Sequence, residues 1–133
     1  MSAVDFEQWA VPNLSLPFGD RTFTVRPPSV EEAKQVLAAA ALGEVRFGLV
    51  AGPVPDEIVR VLETIGDTHP ALGADAYAEM VGARVPSPTI DRMSVYATFY
   101  WARGRAYADT LARVLWTPRD ADYVGGDGPP PKD

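Results

Sequence analysis

A hairpin signal in residues 14–25 constrains the fold of this chain more than any other feature. Apolar and polar side chains alternate on both sides of Gly19-Asp20, and glycine at the first position of a two-residue loop favours a type II′ turn. In that register one face of the hairpin is apolar and consists of Leu14, Leu16, Phe23 and Val25. A two-stranded hairpin is only marginally stable alone in water, so we expect helices of the same chain or a partner to cover this face.

Helix signals follow the hairpin directly. Pro27-Pro28 ends the second strand, and Ser29 together with Glu32 matches a capping box. We therefore predict a helix from residue 30 to about Leu42, with Gly43 at its C-terminal end. Its predicted buried stripe is Val30, Ala33, Leu37, Ala40 and Ala41.

Two short helices are predicted in the middle of the chain. Before them, residues 43–55 are rich in glycine and proline and are expected to form a loop that folds back on the core. Asp56 is predicted to cap the first short helix. Gly73 is predicted to precede the second, which ends near Gly82.

The last predicted helix is the longest. Ser87 is a good N-cap residue, Pro88 suits the first helical position, and the next proline is Pro118. These signals predict one helix over residues 88–116, about 40 Å long. Its apolar stripe would be Ile90, Met93, Ala97, Trp101, Gly104, Ala108, Leu111 and Leu115.

The predicted elements define one domain and a tail. Residues 4–10 are expected to form a helical turn, with Phe6 and Trp9 pinning the N-terminus onto the domain. The predicted fold class is mainly α with a small N-terminal β-hairpin (α+β), in a compact helical domain over residues 1–116 that ends in one long helix. Residues 117–133 lack apolar periodicity and are rich in Gly, Pro and Asp, so they are predicted to form a flexible tail.

Composition and charge exclude several classes of function. The net charge of −6 argues against binding nucleic acid through its phosphates, which requires clustered Lys and Arg. Cysteine is absent, which excludes disulfides and thiolate chemistry. No apolar run approaches the ~18 residues of a membrane span, and the acidic N-terminus does not resemble a signal peptide. We therefore expect neither a membrane partner nor export through such a signal.

No catalytic, cofactor or metal motif is evident. The one histidine, His69, is interpreted as a solvent-exposed loop residue, because a metal site would need more ligands than the nearby Asp67 and Asp75. The acidic pairs Glu31-Glu32 and Asp56-Glu57 lie at predicted helix starts, where they oppose the helix dipole. We therefore expect no enzyme activity, no cofactor and no metal.

An aromatic cluster on the long helix is the strongest candidate for a functional surface. Four aromatic residues within six positions cover about three quarters of the helix circumference, more than one buried stripe holds. Either this helix is central and packs on several sides, or part of the cluster projects into a protein–protein interface. The candidate partner-binding residues are Tyr96, Phe99, Tyr100 and Trp101.

Four segments together resemble the tail assembly chaperone family of long-tailed, siphovirus-type bacteriophages of actinobacteria. The segments are the hairpin-to-helix run over residues 14–29, Ala71-Leu72-Gly73 with Tyr77 and Glu79-Met80, Val85-Pro86-Ser87-Pro88, and the aromatic helix from Ala97 to Trp101. The resemblance covers residues 5–116 with a gap over 44–55, and it depends on the order and spacing of the segments.

The resemblance implies a non-enzymatic helper that binds the phage tape measure protein and keeps it soluble while tail tube subunits assemble around it. It also implies a site of action in the cytoplasm of the infected host, absence from the mature virion, and often a longer form made by programmed frameshifting. The tail tube protein is a further expected partner, and a homo-oligomer stays open. The alternatives are a structural phage protein, such as a head–tail connector or minor tail protein, and a generic protein-binding adaptor domain.

Overall fold

A β-hairpin followed by α-helices makes up the computed structural model, which describes residues 5–116. A 3-10 helix at Phe6–Trp9 precedes strands β1 (Leu14–Phe18) and β2 (Arg21–Val25). The helices are α1 (Val30–Arg46), α2 (Asp56–Glu63), α3 (Gly73–Gly82), α4 (Ser87–Arg103) and α5 (Arg105–Trp116). This architecture confirms the predicted class, mainly α with an N-terminal β-hairpin. The predicted tail over 117–133 lies outside the described residues.

The hairpin has the predicted register. Leu14 pairs with Val25, Leu16 with Phe23 and Phe18 with Arg21. Gly19 has a φ of 66° and Asp20 does not, as a type II′ turn requires. The four residues of the apolar face are at most 6% exposed and form one core with residues of α1, α3 and α4. Helices of the same chain therefore cover this face.

Helix α1 begins as predicted but ends later. Both bonds of the capping box form: Glu32 N–H donates to Ser29 Oγ at 3.2 Å, and Ser29 N–H donates to Glu32 Oε1 at 2.9 Å. The predicted end near Leu42 is wrong, because the helix continues to Arg46. A Cβ on Gly43 would lie 3.0 Å from Phe99 Cζ. Gly43 therefore permits close approach of α4 and does not end the helix.

The predicted buried stripe of α1 is partly wrong. Ala40 is buried as predicted, but Val30 and Leu37 are 80% and 49% exposed, and Val36, which lies outside the predicted stripe, is buried. The face turned to α4 is the one where alanine and glycine let the two helices approach closely. The bulkier Leu37 is left outside this contact.

The prediction of one long C-terminal helix is wrong, because the chain turns back at Gly104. Tyr96 Oη donates a hydrogen bond to Asp109, and the rings of Phe99 and Tyr107 stack with centroids 5.7 Å apart. Thirteen residues along one straight helix would separate Tyr96 from Asp109 by about 20 Å. Helices α4 and α5 therefore form a helical hairpin, and the φ of 98° at Gly104 makes the turn.

Two N-caps differ from prediction by one position. Pro55 and Pro86 occupy the N-cap positions, so Asp56 and Ser87 are the first residues of α2 and α4. Neither helix has a side-chain cap. Proline has no N–H and an extended preference that suits the entry to a helix. Helix α3 ends at Gly82 as predicted, and it begins at Gly73, which was predicted to precede it.

The predicted attachment of the N-terminus is wrong, and that of the central loop is partly right. Phe6 and Trp9 are 75% and 66% exposed and pack edge-to-face on each other, separated from β1 by exposed residues 10–13. The loop over residues 47–55 folds back on the end of α1, not on the core. Leu49 N–H donates to Glu44 O, and Gly52 lies so close to Val45 that a Cβ would clash.

Candidate partner-binding surface

One of the four predicted site residues, Phe99, lies in the core. It is 2% exposed and clusters with Ala40, Ala108 and Leu111. Its ring stacks on Tyr107, with the centroids 5.7 Å apart. Phe99 thus joins α4 to α1 and α5, and the prediction that it contacts a partner does not fit this structure.

Trp101 is half-buried and ties α4 to the segment before α3. Its Nε1–H donates to the backbone oxygen of Ala71 at 3.0 Å. Its ring meets Tyr100 edge-to-face, with the centroids 4.9 Å apart. Trp101 therefore positions the turn that leads into α3.

Tyr96 and Tyr100 lie at the junction of α4 and α5, and both are half-buried. Burial, and next the hydrogen bond to Asp109, raise the pKa of Tyr96 to about 12. The Arg105 guanidinium lies 5.1 Å from the centroid of the Tyr100 ring. The structure thus uses the aromatic cluster to pack a central helix on several sides. Partner binding by Tyr96, Tyr100 and Trp101 stays a prediction.

A larger open apolar surface lies on the opposite side of α5. We call it the α5 groove, and its volume is about 610 Å³. It is lined by Leu49, Arg103, Ala106, Tyr107, Thr110, Leu111 and Val114. The α5 members recur at steps of three and four, so they share one helix face. Val114 is 74% exposed and Leu49 is 52% exposed, so this apolar face is open to solvent.

A polar cluster closes one end of the α5 groove. Arg103 donates two hydrogen bonds to Glu44, from Nε at 3.0 Å and from Nη2 at 2.9 Å, and Tyr107 Oη donates a third at 2.7 Å. The hydrogen bonds from Arg103 lower the pKa of Glu44, against the effect of burial. Burial and the bond to Glu44 raise the pKa of Tyr107. We call these three residues the Glu44 cluster, and it holds α1, α4 and α5 together.

Sequence reasoning missed the α5 groove because it assumed a continuous helix. The spacing of Tyr107, Thr110 and Val114 was visible as a signal. However, in a continuous helix no neighbouring element defines the surface that these positions form. Once Gly104 turns α5 back on α4, Ala108 and Leu111 are buried and the neighbouring face is left open.

A second concave surface surrounds His69, which is not the solvent-exposed residue predicted from the sequence. It is half-buried, and its ring stacks on Tyr77 with centroids 3.9 Å apart, in a cleft of about 450 Å³. The hydroxyls of Thr64 and Thr68 in this cleft donate to backbone carbonyls one turn earlier. Within residues 5–116, no three His, Cys, Asp or Glu side chains are grouped to hold a metal ion.

None of the helices in residues 5–116 combines the length and apolarity needed to cross a bilayer. Searches of curated proteins and of solved structures gave no match. Residues 4–122 match the family model described as "Domain of unknown function (DUF7426)". The match spans most of the chain, and the protein therefore belongs to the DUF7426 family.

Proposed function

We propose that this protein is a phage tail assembly chaperone that binds the tape measure protein and keeps it soluble during tail tube assembly. The sequence resemblance over four segments motivates the proposal. The observation that carries it is the α5 groove, an open apolar surface of about 610 Å³ on a small acidic domain. Such a surface suits a protein whose task is to cover apolar helices of another chain.

The shape of the α5 groove favours a helix as its occupant. From Ala106 to Val114 the groove follows α5 for about 12 Å, which matches slightly more than two turns of a partner helix. A helix docked here would insert apolar residues at positions i, i+3 or i+4, and i+7. Apolar helical segments of the tape measure protein, which are exposed to solvent until the tube surrounds them, would supply this pattern.

Binding is tested by co-expression with the tape measure protein. We expect the tape measure protein to be soluble with the wild-type chain and insoluble alone. Val114→Lys should lose most of this effect, because it places a charge on the open apolar face. The matched control is Val81→Lys, which changes another exposed valine in the last turn of a helix, outside the groove. A tape measure protein that is equally soluble alone, or with Val114→Lys, would contradict the proposal.

The proposal also assigns a place and time of action. The chaperone acts in the cytoplasm of the infected host, meets the tail tube protein as the tube grows, and leaves before the virion is complete. Mass spectrometry of purified particles, with the tail tube protein as internal standard, tests this part. Detection at a fixed stoichiometry would favour the structural phage protein instead.

A further inference from the structure

Helix α5 is joined to α4 through a hinge of one residue. Gly104 has a φ of 98°, a conformation that side chains other than glycine rarely adopt. Helical hydrogen bonds reach this residue from both sides: Gly104 N–H donates to Tyr100 O at 3.0 Å, and Ala108 N–H donates to Gly104 O at 3.1 Å. In the described part of the chain, the amides of residues 105–107 make no backbone hydrogen bond across the break.

Straightening the hinge would therefore lower the free energy of the backbone. A continuous helix over residues 87–116 would satisfy the three first-turn amides of α5 and remove the unusual φ of Gly104. The sequence supports that helix, since it has no proline between Pro88 and Pro118. What keeps α5 folded back is its side-chain contacts, above all the Phe99–Tyr107 stack and the bonds from Tyr96 to Asp109 and from Tyr107 to Glu44.

We propose that α5 exchanges between two copies of this chain, so that each α5 packs on the α4 of the other copy. Straightening uncovers the face around Ala40 and Phe99. The α5 of a second copy can cover this face, because its Tyr107, Asp109 and Leu111 make the same contacts as in the monomer. Arg103 precedes the hinge, so its bonds to Glu44 stay within one copy, whereas Tyr107 donates to Glu44 of the other. The exchanged dimer keeps the inner-face contacts of α5 beyond the hinge and relieves two hinges.

Two variants at the hinge test the exchange in opposite directions. Gly104→Ala disfavours the turn and favours the helix, so we expect the dimer association constant to rise roughly 30-fold per hinge, or about 10³-fold in all. Arg105→Pro suits the first position of α5 but breaks a continuous helix. It should lower the association constant by roughly 10²-fold or more while the monomer stays folded. Light scattering coupled to size-exclusion chromatography over a concentration series measures both.

The control for Gly104→Ala is Gly66→Ala. Gly66 also has a positive φ, of 56°, with open space around a Cβ, but it lies in a loop that cannot become helix through Pro70. Its substitution also places alanine at a positive φ and should leave the association constant unchanged. A rise comparable to that of Gly104→Ala would overturn the hinge mechanism.

Exchange itself is detected by nuclear Overhauser effects between two copies. The first sample is a refolded mixture of isotope-labelled and unlabelled Gly104→Ala protein. The second is the same mixture of wild-type protein at high concentration. The proposal requires contacts between Phe99 of one copy and Tyr107 of the other. Three outcomes overturn it: a protein that stays monomeric at ~1 mM, a dimer in which this contact is only intramolecular, and a monomer that has lost the contact. In the last outcome α5 straightens without a second copy, and the face around Ala40 and Phe99 stays uncovered.

Discussion

Replacing Glu44 with glutamine should destabilise the domain in a pH-dependent manner. The carboxylate accepts three hydrogen bonds, its side chain is 12% exposed, and that of Arg103 is 32% exposed. Glutamine keeps the shape but loses the charge, and Arg103 is exposed enough to regain some hydration. We therefore expect a loss of about 1–2 kcal/mol at pH 7, at the lower end for bonds to charged groups. At about 4 °C per kcal/mol, the melting temperature should fall by about 4–8 °C.

The sign of the pH dependence follows from the lowered pKa of Glu44. A carboxyl whose pKa lies lower in the folded state than in the unfolded state stabilises the fold above its unfolded value, here about 4.5. That contribution is lost as the pH falls below 4.5 and through the folded pKa. The difference in unfolding free energy between wild type and Glu44→Gln should therefore shrink from pH 7 towards pH 3. Urea denaturation at a series of pH values measures this difference directly.

A surface ion pair supplies the control for Glu44→Gln. Glu31 lies 3.9 Å from Lys34, and both side chains are more than 60% exposed, so Glu31→Gln should change the unfolding free energy by less than about 0.5 kcal/mol. A Glu44→Gln protein within 0.5 kcal/mol of wild type at pH 7 would refute the reasoning. So would a loss that is the same at pH 7 and pH 3.

Two further substitutions test the packing between helices. Gly43→Val should lower the unfolding free energy by at least about 2 kcal/mol in urea denaturation, because a Cβ there already lies 3.0 Å from the Phe99 ring; an unchanged midpoint would contradict the close approach of α1 and α4. Tyr96→Phe removes the bond to Asp109 and should cost about 1–2 kcal/mol at pH 7. Because the folded pKa of Tyr96 is about 12, wild type should lose this advantage as the pH rises from 10 through 12, and a constant difference would count against the assignment.

The sequence predicted correctly those parts of the fold that depend on local signals. The hairpin register follows from Gly19-Asp20 and from alternation on either side, and the start of α1 follows from Ser29 and Glu32. These features depend on neighbouring residues alone. The same kind of reasoning predicted the end of α3 at Gly82 and placed its start within one residue.

The errors arose where tertiary contacts override local preference. Glycine commonly ends helices, yet Gly43 lies inside α1, where the absence of a side chain leaves room for the Phe99 ring. Gly104 lies on an unbroken amphipathic pattern, yet the contacts of Phe99 and Tyr107 turn the chain there. The candidate site shifted for the same reason, since both the burial of Phe99 and the exposure of Val114 depend on that turn.

The chaperone proposal and the exchange proposal can be separated because they depend on different faces of α5. Exchange depends on the inner face around Ala108 and on the hinge, whereas helix binding depends on the outer face around Val114. Leu111 lies at the border of the two faces and is not substituted in either test. Val114→Lys should therefore weaken binding to the tape measure protein without changing the oligomeric state. Arg105→Pro should change the oligomeric state and leave the outer face intact. If Arg105→Pro abolished solubilisation together with the dimer, the exchanged dimer would be the form that binds, with each groove built from α5 of one copy and Leu49 of the other.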